Sequence, residues 1–427
     1  MRKQTVEVAT VVLAGGQGTR LHPLTIHHSK PAVAYGGRYR LIDIPISNSI
    51  NSDFRQIFVI AQYLSGELQH HINQTYHFDM YHPGSVDVLT PQIDEQGKSE
   101  WFSGTADAVR KNLPTLLKSS ADYFLILSGD QLYNINFQHM LSFAQSKKAD
   151  LTIGSIPVLE KDARRMGLLK INPDYAVIDF VEKPKGELGP YQLPERFFQE
   201  WKIKPHKDPF YLGSMGIYVF KREALVSLLE HDQREDFGYH LISTAVKQKK
   251  TSAFIYCGYW EDIGTVASYY EANLNLTRSL EGLNTYDEKN PIYTRPTFLP
   301  GPKIKRTKIT QSILCEGCII EADEISGSVI GLRSHIKRGS IIRDTVMLGN
   351  HFYLPPIRDG KPVEQDYWIG EDCVIEKAII DEHVQIGHRV KLINRAGHQH
   401  YDGEGLFVRD GIIIVSAGTI LPNNFEF

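Results

Sequence analysis

The sequence predicts two domains, an α/β domain with a mostly parallel sheet over residues 1–283 and a parallel β-helix over residues 303–427. In the first part, short apolar runs rich in β-formers alternate with longer helical stretches, which is the pattern of βαβ units. In the second part, an aliphatic residue recurs at every sixth position, a period that suits a triangular β-helix. A proline-rich stretch over residues 284–302 is predicted to be an ordered, semi-rigid linker between them.

Length and composition narrow the class of protein. A chain of 427 residues exceeds what one compact core usually holds. The net charge of −3, with lysine and arginine dispersed, argues against a nucleic-acid-binding face. No apolar run is long enough to span a membrane, and the first predicted strand begins too close to Met1 to leave room for a signal peptide. With only four cysteines as well, we expect a cytoplasmic protein.

The clearest elements of the first domain are five strands and five helices. The strands are Val6–Leu13, Ile57–Ala61, Tyr123–Leu127, Leu151–Pro157 and Ser252–Cys257. The helices are Tyr63–Gln74, Thr105–Lys118, Phe137–Lys147, Gly238–Lys249 and Thr265–Thr277. Ligands of such sheets collect beyond the carboxyl ends of the strands, so the residues that follow these strands are the candidates for a site.

The stretch LAGGQGTRLHPLT, residues 13–25, follows the first strand directly. Gly15, Gly16 and Gly18 permit positive φ and close backbone approach, so that successive N–H groups can point at an anion. Thr19 and Arg20 add a hydroxyl and a guanidinium that match phosphate oxygens in geometry and charge. The spacing excludes both a dinucleotide fingerprint and a P-loop. On the glycines alone, a phosphate-binding turn and an ordinary glycine-rich turn are equally open.

Two further segments extend this candidate site. Pro31 restricts Lys30 to the neighbourhood of the loop, where it could make a second phosphate contact or be a solvated lysine. The stretch WFSGTADAV, residues 101–109, ends a loop and begins a helix. Gly104 would let a flat ligand approach the backbone, and the helix N-terminus would offer free N–H groups. Asp107 has a structural alternative, because it could simply complement the helix dipole.

Two aspartates and a lysine follow predicted strands. Asp130, in the segment SGD, is well placed to hold a divalent cation against phosphates. Asp262, in the segment WEDIG, is a potential partner, although either carboxylate could instead cap the helix that follows it. Lys183, fixed before a proline in VEKP, is a further candidate, and the small-residue segment at residues 211–218 could approach a sugar. Each of these signals is weak alone.

Three series of large side chains carry the period of the second domain and are predicted to point inward. They are Ile313, Ile319 and Ile325; Ile330, Ile336, Ile342 and Leu348; and Trp368, Val374, Ile380, Ile386 and Leu392. The interruption over residues 349–367 is predicted to be a loop between coils. His383 is a candidate for acyl transfer, with a solvated or core histidine favoured. Cys315 and Cys318 are expected to be small core residues rather than a zinc site.

Seven segments occur in a characteristic order ahead of the six-residue repeat: LAGGQGTRLHPLT, SKPAV, WFSGTADAV, LSGDQLY, FVEKP, SMGIYVF and YWEDIGT. In this order the chain resembles the glucose-1-phosphate adenylyltransferases (ADP-glucose pyrophosphorylases) of bacteria and plants, over nearly its whole length. GGxGTRLxPLT is shared by sugar nucleotidyltransferases in general, whereas GTADAV, YRLIDIPISNSINS and SMGIYVF point to the ADP-glucose branch. The resemblance implies a Rossmann-like nucleotidyltransferase domain followed by a left-handed parallel β-helix with hexapeptide repeats.

The resemblance also implies the reaction, in which the adenylyl group of ATP passes to α-D-glucose 1-phosphate to give ADP-glucose and pyrophosphate for glycogen synthesis. By similarity, Asp130 and Asp262 would hold Mg²⁺, and Arg20 and Lys30 would neutralise the triphosphate. ATP would contact Leu13, Gly15, Gly16, Thr19, Gln62, Gly104, Thr105 and Asp107. Glucose 1-phosphate would contact Phe102, Gly167, Glu182, Lys183 and Ser214. Members of the family are usually tetramers, so a homotetramer is expected.

Regulation is where the sequence departs from the family pattern. Residues 26–29, Ile-His-His-Ser, stand where regulated relatives carry a Lys/Arg pair that helps bind an anionic activator. Residues 414–418 lack a basic residue often found in that region. Arg40 is present as a possible effector contact, and His27 and His28 could be partly charged. We therefore expect weak or altered activation by sugar phosphates or phosphoglycerate. Phe102 is a smaller departure, since some bacterial members have tyrosine there.

Two alternative functions stay open at this point. The chain could be a uridylyl- or thymidylyltransferase on the same scaffold, because base choice depends on a few contacts. It could also be a non-catalytic regulatory subunit that binds a catalytic partner. The second alternative is disfavoured because such subunits typically lose metal or phosphate ligands, whereas here the candidate ligands are all present: Arg20, Lys30, Asp130, Lys183 and Asp262.

Overall fold

The structure is a computed structural model that describes residues 6–91, 101–204, 206–353, 357–358, 361–362 and 367–427. Most of the predicted loop over residues 349–367 therefore lies outside the described residues. Within the described part, no helix is both long and apolar enough to cross a membrane.

The first domain contains thirteen strands, β1 to β13, in its described part. They are β1 Val8–Ala14, β2 Ala34–Tyr35, β3 Tyr39–Arg40, β4 Gln56–Ala61, β5 Ser85–Leu89, β6 Tyr123–Ser128, β7 Gln131–Tyr133, β8 Leu151–Leu159, β9 Gly167–Ile171, β10 Val177–Glu182, β11 Phe210–Lys221, β12 Thr251–Ile255 and β13 Trp260–Asp262. The helices are α1 Asp43–Asn51, α2 Ser65–Thr75, α3 Thr105–Leu116, α4 Phe137–Lys147, α5 Glu160–Ala163, α6 Arg196–Glu200, α7 Arg222–His231, α8 Ser243–Gln248 and α9 Val266–Arg278. A short π-helix over Phe237–Ile242 leads into α8.

Nine of these strands form one sheet in the order β10-β9-β11-β6-β1-β4-β5, with β8 beside β11 and β12 beside β8. The strand β1 is central and runs parallel to both β4 and β6. Relative to β1, only β10 and β11 of this sheet run in the opposite direction. The predicted α/β domain with a mostly parallel sheet is confirmed, and the five predicted strands lie within two residues of the observed ones. The predictions did not include α1 or α7; of β11 they included only a strand entry over residues 211–218.

Alternate residues of the central strands face opposite sides of the sheet, and helices cover both sides. Val12 packs in one core with side chains of α1, α2, α4 and α9, including Ile44, Leu68 and Tyr269. Val11 packs in a second core with side chains of α3, α7 and α8, including Val109. Because both faces are buried, the strands read as continuous apolar runs, which is why the sequence predicted them well.

The second domain is a parallel β-helix. Its strands are β14 Lys303–Ile304, β15 Lys308–Thr310, β16 Ile313–Leu314, β17 Ile319–Ile320, β18 Glu324–Ser326, β19 Val329–Ile330, β20 His335–Ile336, β21 Ile341–Met347, β22 Ile357–Arg358, β23 Lys361–Pro362, β24 Trp368–Ile369, β25 Val374–Ile380, β26 Gln385–Ile386, β27 Lys391–Leu392, β28 His400–Asp402, β29 Leu406–Arg409, β30 Ile412–Val415 and β31 Ile420–Leu421. One face stacks β14, β17, β20, β24, β26 and β31 in order, all in parallel register.

The inward positions of this domain differ from the predicted series at several places. Ile313, Ile319, Trp368 and Val374 are only partly buried. The buried positions on those strands are shifted by one residue, so that Ile320, Ile369 and Ile375 enter the core. Leu348 is buried but packs in the core shared with the first domain. The reason is the coil length: Ile320 pairs with Ile336 and Ile325 with Ile342, so one coil takes 16 or 17 residues rather than three full repeats of six.

The two domains are in direct contact. Gly37 of the first domain adopts positive φ, and a Cβ placed on it would lie 2.8 Å from the sulfur of Cys315 and 2.9 Å from Cα of Gly331. The N–H of Leu332 donates to the carbonyl of Gly37 at 3.1 Å. Burial raises the pKa of the Cys315 thiol, and Cys318 is buried too. The two cysteines are thus small packing residues, as expected.

Candidate active site

The carboxyl ends of three parallel strands open into one cleft. Ala14 of β1 lies beside Ala61 of β4, and Leu13 lies beside Ser128 of β6, so the residues that follow leave the sheet at the same edge. The cleft there has a volume of about 420 Å³. It is lined by many of the predicted residues: Leu13, Gly15, Gly16, Lys30, Gln62, Phe102, Gly104, Thr105 and Asp130. Thr19, Arg20 and Asp107 are not among its lining residues.

Lys30 and Asp130 form a partly buried ion pair at the floor of the cleft. The ammonium of Lys30 contacts Oδ2 of Asp130, and the hydroxyl of Ser128 donates to Oδ1 of the same carboxylate. Lys30 is only 8% exposed and begins the short 3₁₀ turn Lys30–Ala32, in which Pro31 is the second residue. The predicted proximity of Lys30 to the loop is therefore observed, and the alternative of a solvated lysine is wrong. Ser128 was not predicted, although it lies in the SGD segment that drew attention to Asp130.

Asp262 lies next to this pair. Strand β13 runs antiparallel to β7 with Asp262 opposite Gln131, and the N–H of Ile263 donates to the carbonyl of Asp130 at 3.2 Å. Burial raises the pKa of Asp262, and the negative charge of Asp130 raises it further, whereas Lys30 and Arg20 oppose the shift. Two carboxylates and two cationic side chains thus share one small region.

Arg20 reaches this region from the glycine loop. A Cβ placed on Gly264 would lie 3.2 Å from Oδ2 of Asp262 and 3.6 Å from Nη1 of Arg20. The alternative in which Asp262 caps a helix is wrong, because Thr265 caps α9 by accepting from the N–H of Ser268. Asp130 is not a cap either, since it precedes a strand, β7. Neither carboxylate therefore serves as a helix cap.

The glycine loop uses the left-handed backbone region at one of its three glycines. Gly18 has a φ of 65°, whereas Gly15 and Gly16 do not adopt the positive φ that glycine permits. At Gly18, a Cβ would lie 2.9 Å from Cβ of Lys30 and 3.0 Å from Cγ2 of Thr25. At Gly16, a Cβ would have no atom of the described residues within 4 Å. The loop thus closes on Lys30 at Gly18 and leaves open space at Gly16.

We expect Gly18→Ala to lower the free energy of unfolding by about 1–2 kcal/mol, because a residue with a side chain is strained in the left-handed conformation of this position. The variant should also have lower activity, because the new side chain would displace Lys30. Gly16→Ala is the matched control and should leave the free energy of unfolding nearly unchanged. Urea unfolding of both variants measures the difference. Equal stability of the two variants would contradict this account of the loop.

Two of the N–H groups at the N-terminus of α3 that were predicted to be free are occupied by protein backbone. The carbonyl of Glu235 accepts from the N–H of Ala106 at 2.7 Å and from that of Asp107 at 3.4 Å. A Cβ on Gly104 would lie 2.5 Å from the same carbonyl oxygen, so Gly104 makes room for protein backbone on that side. Thr105 accepts from the N–H of Phe237 at 3.0 Å. The sequence around Glu235 carries no local signal for this contact.

Gln62 and Asp107 organise the wall of the cleft. The side-chain amide of Gln62 accepts from the N–H of Phe102 at 2.6 Å and donates to its carbonyl at 3.3 Å, which fixes the position of Phe102. Asp107 accepts from the N–H of Ser103 at 2.9 Å and lies 3.3 Å from the ammonium of Lys111. The structure thus places Asp107 in a structural role at the start of α3.

A second group of predicted residues lies on β9, β10 and the loop after β10. Glu182 is opposite Gly167, and a Cβ on Gly167 would lie 2.6 Å from Oε2 of Glu182, so that only glycine leaves room for this carboxylate. Burial raises the pKa of Glu182, while the nearby ammonium of Lys183, 3.6 Å from Oε1, opposes the shift. The Lys183 side chain is 53% exposed and can meet a ligand.

Ser214 connects this second group to the region of Asp130 and Asp262. It is buried in β11, next to a bulge at which Gly216 has a φ of 72° and donates its N–H to the Ser214 hydroxyl at 3.3 Å. Within the bulge, the carbonyl of Met215 accepts from the side chain of Gln131 at 2.8 Å. Because Gln131 follows Asp130 directly, the bulge lies beside the carboxylate site. Gln131 was not predicted, and its glutamine carries no distinctive local signal.

Comparison with protein-family models agrees with this arrangement. A model described as nucleotidyl transferase matches residues 9–279, which include the cleft and every residue predicted to bind ATP, glucose 1-phosphate or a metal ion. A second model, described as the GLGC left-handed parallel beta-helix domain, matches residues 297–425, and it confirms the predicted left-handed β-helix. The first match covers more than half of the chain. The chain therefore belongs to the nucleotidyl transferase family.

Proposed function

We propose that the protein transfers the adenylyl group of ATP to α-D-glucose 1-phosphate, giving ADP-glucose and pyrophosphate for the synthesis of an α-glucan such as glycogen. The observation that carries the proposal is the placement of Lys30, Asp130 and Asp262 at the carboxyl edge of a nucleotidyl transferase sheet. The match of the second domain to the GLGC β-helix supports the ADP-glucose branch over other members of the family.

The chemistry needs charge neutralisation more than proton transfer. An oxygen of the sugar phosphate attacks the α-phosphorus of ATP, the bond from that phosphorus to the bridging oxygen breaks, and pyrophosphate leaves. The nucleophile is already an anion, so no general base is required. Lys30 and Arg20 would neutralise the triphosphate, and their value is greatest where water is excluded, as it is at the buried Lys30.

Asp130 and Asp262 fit a Mg²⁺ ion. Mg²⁺ prefers oxygen ligands and is commonly held by one or two carboxylates together with substrate phosphates. A cation between them would relieve the repulsion that contributes to the raised pKa of Asp262. When bound, Mg²⁺ supplies charge stabilisation to the α-phosphate and to the departing pyrophosphate.

Glucose 1-phosphate would occupy the second group, with the phosphate on Lys183 and the sugar near Phe102, Glu182 and Ser214. We expect Lys183→Gln to raise KM for glucose 1-phosphate by about 10- to 100-fold, while KM for ATP changes little. The reason is that the variant loses one hydrogen bond to a charged group, which contributes about 1.5–3 kcal/mol. Lys185→Gln is the matched control, because Lys185 is also exposed and lies two residues away. Equal KM values in the two variants would remove Lys183 from the phosphate contact.

The proposed activity is tested by pyrophosphate release from purified protein with Mg²⁺, glucose 1-phosphate and each of ATP, UTP, dTTP and GTP. We expect the highest kcat/KM with ATP. A preference for UTP or dTTP would favour the alternative uridylyl- or thymidylyltransferase. Absence of turnover with every nucleotide would favour a regulatory subunit. Light scattering on the same preparation tests the homotetramer that we propose from the family resemblance.

Arg40 supports the proposal of weak activation by small anions. Its guanidinium is buried, 2.8 Å from Oε1 of Glu67 and 3.5 Å from Oε1 of Glu382. An anionic effector would have to compete with both carboxylates for this one cation. In activation curves with sugar phosphates and phosphoglycerate we therefore expect little stimulation at low concentration, and a stronger response from Glu67→Gln. Strong stimulation of the unmodified protein would contradict the proposal.

A further inference from the structure

A cluster of histidines and carboxylates lies between the two domains, in a cavity of about 740 Å³ that is separate from the nucleotide cleft. Its centre is the set His351, Glu382 and His383 of the β-helix, in which one ligand atom from each residue lies within 4.8 Å of the other two. A second set meets the same criterion and shares Glu382, adding His28 and Glu67 of the first domain.

The fold brings the first set together. Strands β21 and β25 run parallel with Met347 beside Ile380, so the segments that follow them leave the β-helix at the same edge. The N–H of His383 donates to the side chain of Asn350 at 3.1 Å, which ties the second segment to the residue before His351. The N–H of Glu382 donates to the Asp381 carboxylate at 2.7 Å. The three side chains are therefore held near one another by the backbone.

The donor set has the chemistry of a transition-metal site. Two imidazoles and one carboxylate are typical zinc ligands, whereas Mg²⁺ and Ca²⁺ prefer oxygen ligands alone. Two donor atoms that bind one tetrahedral zinc ion lie about 3.3 Å apart, and Nε2 of His351 lies 3.3 Å from Oε2 of Glu382. Glu382 is 6% exposed but His351 is 41% exposed, so an ion can enter from solvent.

We propose that His351, Glu382 and His383 bind a divalent transition-metal ion of the Zn²⁺ class, and that Glu382 connects this ion to the first domain. His28 provides the connection, because its Nε2 lies 4.0 Å from Oε2 of Glu382 and its other nitrogen contacts Glu67. The site differs in place and in ligand type from the carboxylate pair Asp130 and Asp262.

Arg40 is a cationic side chain that contacts two of the proposed ligands. Its Nη2 lies 3.2 Å from Nε2 of His351 and 3.5 Å from Oε1 of Glu382. A metal ion must displace Arg40 from both groups, after which Arg40 retains its contact with Glu67 at 2.8 Å. Metal binding and the position of Arg40 are thus coupled across the domain boundary.

The experiment is calorimetric titration of chelator-treated full-length protein with Zn²⁺, in excess Mg²⁺ so that the carboxylates of the nucleotide cleft are occupied. We expect one equivalent per chain. Loss of a residue that only hydrogen-bonds to a metal ligand typically lowers metal affinity by roughly 10- to 100-fold. Because His351→Ala and His383→Ala each remove a ligand itself, each should lower the affinity for Zn²⁺ by more than that. The matched control is His400→Ala, in the same domain with a ring that is 68% exposed, and it should bind like the unmodified protein.

Two further measurements test the metal site without relying on the histidine variants, which could fail to fold. Titration of the unmodified protein with Co²⁺ should give visible absorption bands of a nitrogen-bound ion that saturate at one equivalent, and the spectrum of the aqueous ion alone would overturn the proposal. Arg40→Gln should bind Zn²⁺ more tightly, because the competing cation is removed. Unchanged Zn²⁺ affinity in the histidine variants, or weaker affinity in Arg40→Gln, would also overturn it.

Discussion

Asp130→Asn should lower kcat for pyrophosphate release by about 10³-fold. Removing one preorganised group that stabilises charge in the transition state typically lowers kcat by about 10²- to 10³-fold, and we expect the upper value here. Asparagine preserves the shape of the side chain and can still accept from the Ser128 hydroxyl. It removes the negative charge that pairs with Lys30 and that would hold the Mg²⁺ ion. The loss should therefore appear in kcat at saturating ATP and glucose 1-phosphate, with the protein still folded.

The control for this variant is Asp208→Asn, which makes the same chemical change at a side chain that is 70% exposed and outside the cleft. It should leave kcat unchanged. Circular dichroism and thermal unfolding of both variants separate a loss of catalysis from a loss of folding. Near-normal turnover by Asp130→Asn would remove Asp130 from the metal-binding and charge-neutralising role, and with it the mechanism proposed above.

The position of this site could be predicted from the sequence because the strands that build it are buried on both faces. Continuous apolar runs mark β1, β4 and β6, and the residues directly after them must meet at one edge of the sheet. That argument places Gly15 and Asp130 together without any knowledge of long-range contacts. The proline after Lys30 then restricts the lysine to the same edge.

Contacts between residues that are far apart in the sequence could not be predicted in the same way. The N–H groups at the start of α3 look free in the sequence, but the carbonyl of Glu235 accepts from two of them, those of Ala106 and Asp107. Asp262 looks like a helix cap, but Thr265, three residues later, takes that place. In each case a local pattern permitted two outcomes, and the tertiary fold selected one of them.

In the β-helix, too, the sequence pattern identified the architecture but not the position of every side chain. A recurring aliphatic residue identifies the architecture, but paired isoleucines such as Ile319 and Ile320 leave the inward position undecided by one residue. The choice depends on the coil length, which is 16 or 17 residues between stacked strands. The coil length follows from the turns between short strands, where single residues adopt positive φ, such as Arg333 and Arg389. Counting a six-residue period along the sequence does not show where these turns lengthen or shorten a coil.

Ile320→Ala should lower the free energy of unfolding of the β-helix by about 2–5 kcal/mol, because it removes a fully buried side chain and leaves a cavity. Ile319→Ala is the matched control, since the same change at the partly buried neighbour should cost only about 1 kcal/mol. Urea unfolding of the two variants, with hydrogen exchange of the peptides that contain β14, β17 and β20, measures both effects. A larger loss of stability in Ile319→Ala than in Ile320→Ala would show that Ile319 is the inward residue, as the six-residue period predicts. The coil spacing drawn from the strand pairing would then be wrong.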